Sequence, residues 1–261
     1  MKLAWAAAVA VLALAGCSRP ATDDADLVVL AGQSNAVGYG LTTADLPAGP
    51  PDSDVLIWQG DRFAPLRPGT NTGSLRQPST WGPEVGFARA WREAHPGRRL
   101  YLVKHARGST PLAPAAGPDW SAGSGELFAE ATTKVEAAKA ALAAQDLKPR
   151  LVGVLWIQGE ADAGDAAMAG AYRANLTRLI KAMRLGWSAP GAVVVVAKIP
   201  DWGGRADEVR AAQAQVDEAD TLTVSVDAQG LPMQDDGLHL AAEGQLRLGK
   251  AMAVALTAAT R

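Results

Sequence analysis

Gly32-Gln33-Ser34-Asn35, near the start of the chain, and Asp235-Asp236-Gly237-Leu238-His239, near its end, hold between them a hydroxyl, two carboxylates and an imidazole. A free serine hydroxyl is a weak nucleophile, and a base must take its proton as it attacks a carbonyl. A carboxylate must hold that base in the right tautomer, and hydrogen-bond donors must meet the oxyanion that forms. Three histidines compete for the base position. His95 precedes Pro96-Gly97, a helix-stop turn, and reads as a surface residue. His105 follows an apolar run and could line a site. His239 has Asp236 three residues before it, so one turn of backbone can hold carboxylate and imidazole together. His239 is the expected base for Ser34. Asp236 is preferred to the adjacent Asp235 as its partner, because the three-residue spacing suits a single turn.

Two further blocks carry polar groups: His105-Ala106-Arg107-Gly108-Ser109-Thr110 and Gln158-Gly159-Glu160-Ala161-Asp162. Paired carboxylates such as Glu160 and Asp162 can cleave glycosides, but these two share one tight loop and cannot flank a sugar ring from opposite faces. They read as acceptors that hold the loop, with Glu160 the more buried. Arg107 reads equally as a solvated loop charge or as a group that pairs with a carboxylate or contacts substrate. Trp81, Trp120 and Trp202 fall in loops that follow strands, where an aromatic face suits a sugar; each singly is better read as packing. Trp58, Trp91 and Trp156 fall in strands or a helix and read as core. Ala36 stands where a G-x-S-x-G elbow needs glycine, which disfavours an ordinary α/β-hydrolase. There is no HExxH, no histidine cluster, no G-x-G-x-x-G and no P-loop, so neither a metal nor a cofactor is expected.

The elements that must position these blocks can be read from periodicity. Leu27–Ala31, Val55–Trp58, Leu100–Lys104, Leu151–Ile157, Ala192–Ala197 and Leu222–Val226 are mostly continuous apolar runs. Such runs suit strands buried on both faces of a parallel sheet. Helical patterns cover Glu84–Ala94, Glu126–Ala144, Ala166–Leu185, Asp207–Ala219 and Ala241–Ala258. Strand–helix alternation predicts a single three-layer, doubly wound α/β domain. Ligands of open α/β sheets bind beyond the carboxyl ends of the strands. All four polar blocks lie there, as do two long loops, Gln59 to Trp81 and Ala106 to Gly123.

Composition narrows the setting. The chain has 261 residues, 48% hydrophobic and 20% charged, with a formal net charge of −2. No Lys/Arg stripe forms, so nucleic acid is not an expected partner. Met1-Lys2, an apolar run from Leu3 to Ala15, and Leu14-Ala15-Gly16-Cys17 read as a secretory signal peptide, residues 1–16. The run is too short to span a bilayer, which takes roughly 20 residues. Cys17, the sole cysteine, is the expected lipidation site, because a cysteine after such a leader resembles the bacterial lipoprotein box. Residues 17–25 are then a lipidated tether and 26–261 the catalytic domain. The expected place is the periplasm of a bacterium, anchored by lipid, with Ser18 pointing to the outer membrane. A monomer is expected.

Taken in order, Gly-Gln-Ser-Asn, Ala-Arg-Gly-Ser-Thr, Trp-Ile-Gln-Gly-Glu-Ala-Asp and Asp-Gly-Leu-His resemble the SGNH hydrolase superfamily. Within it they are similar to the sialate O-acetylesterase and carbohydrate esterase family 6 group. The resemblance runs from about Asp26 to Ala258 and implies a flavodoxin-like fold acting on an acetylated carbohydrate. It implies Ser34 as nucleophile, His239 as base and Asp236 as its orienting acid. It implies an oxyanion hole from the Ser34 and Gly108 backbone amides and the Gln158 side chain. Gln33, Asn35, Arg107 and Glu160 are then site-supporting residues. Two positions depart from the pattern. Ala161 stands where many SGNH enzymes have an asparagine donor, and Ser109 stands where the group has glycine, which matters if that position needs positive φ. Two other readings remain. One is an SGNH esterase or lipase on a non-sugar ester, for which the loops offer no extended apolar segment. The other is a non-catalytic carbohydrate-binding lipoprotein, to which Ser109 and Ala161 are the pointers.

Overall fold

The computed structural model describes residues 24–46, 52–74, 76–201 and 203–260. The expected signal peptide, Cys17, most of the tether and Trp202 lie outside the described residues. The strands are β1 (Asp24–Gly32), β2 (Asp52–Trp58), β3 (Phe63–Leu66), β4 (Leu100–Ala106), β5 (Lys148–Ile157), β6 (Val193–Lys198) and β7 (Thr223–Asp227). The helices are α1 (Ser34–Val37), α2 (Glu84–Ala94), α3 (Glu126–Ala143), α4 (Glu160–Ala163), α5 (Ala166–Gly186), α6 (Ala206–Ala219) and α7 (Ala242–Ala259).

Among the described residues one sheet forms, in the order β3-β2-β4-β1-β5-β6-β7. Every pairing is parallel except β2 with β3. The continuous apolar runs are explained by cover on both faces. Along β1, Val28 and Leu30 pack under α2 and α7 with Phe87, Trp91, Leu248 and Met252. Leu27 and Val29 pack under α3, α5 and α6 with Val135, Leu176 and Val209. Each such side chain, fully buried, contributes about 1.5–3 kcal/mol of transfer free energy. The expected three-layer α/β domain is thus the observed one.

Three short elements depart from the expectations. β3 lies inside the expected loop from Gln59 to Trp81 and carries Pro65 opposite Leu56. Proline donates no ladder hydrogen bond and is confined to edge strands, where β3 lies. α1 and α4, four residues each, are too short to show helical periodicity. β1 also begins at Asp24, so the last two residues of the expected tether are strand.

The topology creates the crevice. From β1 the chain builds outward to β2 and β4 on one side, then crosses to β5, β6 and β7 on the other. β1 is therefore the switch point, where open α/β sheets bind ligands. Gly32 is in register with Ala106 of β4 and Ile157 of β5. The chain segments after all three strands emerge side by side.

Candidate active site

The exit from β1 demands glycine at position 32. Its φ is +145°, and a Cβ there would lie 1.9 Å from the Ile157 carbonyl oxygen. The chain can then turn at once, with Gln33 N–H donating to Ile157 O (2.9 Å), and enter α1 at Ser34. Lys104 of β4 steadies the far end of α1, donating to Val37 O (3.0 Å) and pairing with buried Glu84 (2.9 Å). Burial lowers the Lys104 pKa, and Glu84 works against that shift. Ser34 is 5% exposed.

The imidazole is set by its own turn. Asp236 Oδ1 accepts from the Leu238 and His239 backbone N–H groups, both at 2.9 Å, and Oδ2 accepts from His239 Nδ1 at 2.6 Å. Partial burial works to raise the Asp236 carboxyl. The His239 N–H, the imidazole and the Leu238 N–H outweigh it and bring the pKa down to about 2. Asp236 rather than Asp235 makes this contact. With Nδ1 engaged by Asp236, Nε2 is left for proton transfer.

Asn35 ties the serine helix to the histidine turn. Its Nδ2 donates to Glu160 Oε1 (2.8 Å) and Leu238 O (3.3 Å), and its Oδ1 accepts from Leu240 N–H (2.9 Å). One side chain, 1% exposed, thus grips the backbone on both sides of His239. Gln245 of α7 donates to the Asn35 carbonyl (3.1 Å). Tyr39 joins the same two segments. Its N–H donates to Ser34 O (3.1 Å), and its ring stacks on the His239 imidazole, centroids 4.3 Å apart and 24° between planes. Among the described residues no hydrogen bond joins Ser34 Oγ to His239.

The segment after β4 covers the serine. Arg107 N–H donates to Gly32 O (3.1 Å), and the Arg107 carbonyl accepts from Thr110 Oγ1 (2.7 Å). A Cβ on Gly108 would lie 3.7 Å from Ser34 Cβ, so Gly108 sits directly against the serine. Ser109 has φ +59°; the position does need the left-handed conformation, and a serine occupies it. Arg107 is half-buried and forms no ion pair among the described residues.

The segment after β5 corrects one expectation. The Gln158 side chain is not free to donate to an oxyanion. Its Nε2 donates to Asp162 Oδ2 (2.6 Å), Thr110 O (3.1 Å) and Gln33 Oε1 (3.4 Å), and its Oε1 accepts from Tyr172 (3.1 Å). The residue is 0% exposed. It knits the three post-strand segments together from beneath. Gln33 Oε1 also accepts from Ala161 N–H (3.3 Å).

Glu160 and Asp162 are both buried; the first holds Asn35, and Asp162 holds a loop. It accepts from Leu112 and Ala113 N–H at 2.8 and 3.0 Å, which pins the loop after β4. Burial raises both pKa values; the hydrogen bond from Asn35 opposes this at Glu160, and those from Leu112 and Gln158 oppose it at Asp162. Glu160 Oε2 has no hydrogen-bond partner among the described residues.

The other sequence candidates sort themselves by packing. His105 is buried beneath its loop, edge-on to Trp120, with Nδ1 2.9 Å from Lys134 Nζ. Its Nε2 lies 3.2 Å from Glu130 Oε2 without the alignment of a hydrogen bond. Burial, then Lys134 and Arg107, lower its pKa to about 3. His95 stacks on Trp91 (3.9 Å) at the end of α2. Trp81 and Trp120 are fully buried, with indole N–H groups on Thr42 O and Thr110 Oγ1. They are core, not sugar platforms.

Sequence reasoning missed Tyr39, Gln234 and Gln245. Gln234 Nε2 donates to Tyr39 O (2.7 Å) and Leu240 O (3.0 Å), and its N–H donates to His239 O (2.7 Å). Gln245 had a signal, as a polar residue on the buried face of α7 beside Leu248 and Met252. Tyr39 had none, because only the fold brings it to His239, and Gln234, in the same turn as His239, carries nothing that sets it apart from an ordinary turn residue.

Comparison with known proteins bears on this arrangement. The sequence profile of the family described as "Carbohydrate esterase, sialic acid-specific acetylesterase" matches residues 24–258. The probable carbohydrate esterase At4g34215 of Arabidopsis thaliana is 31% identical over 248 residues, covering 88% of this chain and 89% of that protein. Its crystal structure superposes with a TM-score of 0.75 at 26% identity, covering 91% of this chain and 100% of that one. NanS matches with a TM-score of 0.68 at 15% identity, covering 90% of this chain and 97% of its own. XAC1771, a carbohydrate acetylesterase of Xanthomonas citri, matches with a TM-score of 0.59 at 16% identity, covering 90% and 56%. The last two share the fold.

Proposed function

The chain belongs to the carbohydrate esterases of the sialic acid-specific acetylesterase family, and from that premise we propose that it is a serine esterase that removes O-acetyl groups from a carbohydrate. Ser34 Oγ attacks the acetyl carbonyl carbon while His239 Nε2 takes the hydroxyl proton. The carbonyl oxygen becomes an oxyanion. The Ser34 and Gly108 backbone N–H groups, which have no acceptor among the described residues, receive it. Losing one such donor typically costs about 3–4 kcal/mol of barrier. The tetrahedral species collapses, the bond to the sugar oxygen breaks, and His239 returns the proton to that oxygen. Water then attacks acetyl-Ser34 with His239 again as base, acetate leaves, and Ser34 regains its proton. Asp236 holds the proton on Nδ1 and stabilises the imidazolium in both halves.

What carries this reading is the grip of Asn35 on both flanks of His239, next to Ser34 in the chain. It brings nucleophile and base to one crevice edge, while Asp236 holds the imidazole at 2.6 Å. Gln158 supports the hole from below, by holding Thr110 and Asp162, and is not one of its donors. The chain is further proposed to be exported and lipid-anchored through Cys17, on the strength of the leader pattern alone. Radiolabelled fatty acid should enter the expressed protein and be lost in Cys17→Ser.

The test of activity uses protein from Ser18 onward with para-nitrophenyl acetate, butyrate and octanoate, beside Ser34→Ala. The expected result is turnover greatest on acetate and abolished in the variant, with acetate released from O-acetylated sialic acid or xylan. A maximum on octanoate would point to a lipid ester instead. Glycan binding by folded protein with no ester turnover would point to a binding protein.

A further inference from the structure

Tyr39 is 44% exposed, yet it is not a loose surface ring. Its N–H donates to Ser34 O, and its carbonyl accepts from Gln234, whose own N–H donates to His239 O. The backbone of Tyr39 is thus fastened to the nucleophile on one side and to the histidine turn on the other. That fastening lays the ring over the imidazole at 4.3 Å and 24°. The hydroxyl makes no hydrogen bond among the described residues, so the ring itself is the contact.

A ring face matters here because the imidazole changes charge. An aromatic face carries negative quadrupole density and attracts a cation within about 6 Å of its centroid. A neutral imidazole gains little from it, whereas the imidazolium that forms with each proton transfer gains more. Two acidic side chains share the neighbourhood: Asp236 in the same turn, through Nδ1, and Glu160 from α4.

We propose that Tyr39 is a positioning residue that acts through His239: its π face fixes the tilt of the imidazole and stabilises the imidazolium of the transition state. This rests on the reading of His239 as general base.

The experiment compares wild type, Tyr39→Leu and Tyr39→Phe on para-nitrophenyl acetate across pH, with an NMR titration of the assigned His239 ring proton in each. Loss of an exposed cation–π contact should lower kcat and kcat/KM together by about 2- to 5-fold and leave KM unchanged. Removing a group that favours the charged imidazole lowers its basicity, so the acid limb of kcat/KM should move to lower pH by about half a unit. The NMR titration should move by the same amount, and Tyr39→Phe should restore all of these. An unmoved acid limb and titration in Tyr39→Leu would overturn the proposal, as would a raised KM at constant kcat, which would make the ring a substrate platform. Wild type that is folded but inert on every ester would fail the esterase reading instead, and the NMR titration would still decide whether the ring supports the imidazolium.

Discussion

Removing the Asn35 side chain should loosen the site and destabilise the whole protein. In Asn35→Ala the bond to Glu160 (2.8 Å) disappears, and the Leu240 N–H loses its acceptor (2.9 Å). Both losses fall in buried surroundings. A hydrogen bond is worth about 0.5–1.5 kcal/mol between neutral groups and about 1.5–3 kcal/mol to a charged one, and a buried N–H left unpaired costs about 1–3 kcal/mol. The bond from Gln245 goes to the Asn35 backbone carbonyl and survives. The sum is a loss of about 1.5–6 kcal/mol, a large share of the ~5–15 kcal/mol that holds a domain together. Glu160 adds to the effect, because its Oε2 has no partner among the described residues and burial already raises its pKa. Without Asn35 it becomes a buried carboxyl with no side-chain donor. Glu160→Gln puts a neutral amide in place of that carboxyl, so Asn35→Ala should cost at least about 1 kcal/mol less in the Glu160→Gln background, as contacting residues show coupling on this scale. Urea unfolding read by tryptophan fluorescence measures all four proteins, with an unchanged slope required for the comparison. At low urea, where Asn35→Ala is still folded, its kcat should fall by about 10- to 100-fold, since small displacements of catalytic groups cost that much. A midpoint within about 1 kcal/mol of wild type, or the same cost in both backgrounds, would refute the reasoning.

Other predictions follow from single residues. His105, held neutral by burial, Lys134 and Arg107 with a pKa of about 3, makes the fold acid-labile. The unfolded chain takes up that proton below about pH 6.5, and the folded chain does not until about pH 3. Stability is therefore full above this window and falls as pH drops through it, by about 3 kcal/mol at pH 4.5. Urea midpoints from pH 7 to 4.5 should fall much less steeply in His105→Gln. Ser109→Gly should relieve the left-handed strain at φ +59° and stabilise by up to about 1 kcal/mol, offset in part by the freedom glycine adds to the unfolded chain. A thermal melt that drops in this variant would mean that the serine hydroxyl has a structural role.

Much of the architecture was legible because burial leaves a mark on composition. β1 is covered on both faces, so its residues read as a continuous apolar run. α2 was legible to the residue, with its end marked by the His95-Pro96-Gly97 stop. The candidate base and its acid were legible because one turn holds both. Contacts between distant segments were not. Gln158 looked like a donor facing the crevice, and only the fold shows its amide claimed by Asp162, Thr110 and Gln33. Tyr39 reaches His239 across two hundred residues of chain, and no local pattern marks such a partner. β3, with Pro65 among four residues, sat below the length at which alternation can be seen.

In the proposed mechanism, acetyl passes through Ser34 on its way from sugar to water. Rapid acid quench of the enzyme during para-nitrophenyl acetate turnover, followed by peptide mass mapping, tests it most directly. One acetyl group on the peptide that contains Ser34, absent in Ser34→Ala and accumulating only while substrate lasts, is the predicted result. Acetate release at the wild-type rate by Ser34→Ala, or a transient acetyl group on another residue, would contradict it.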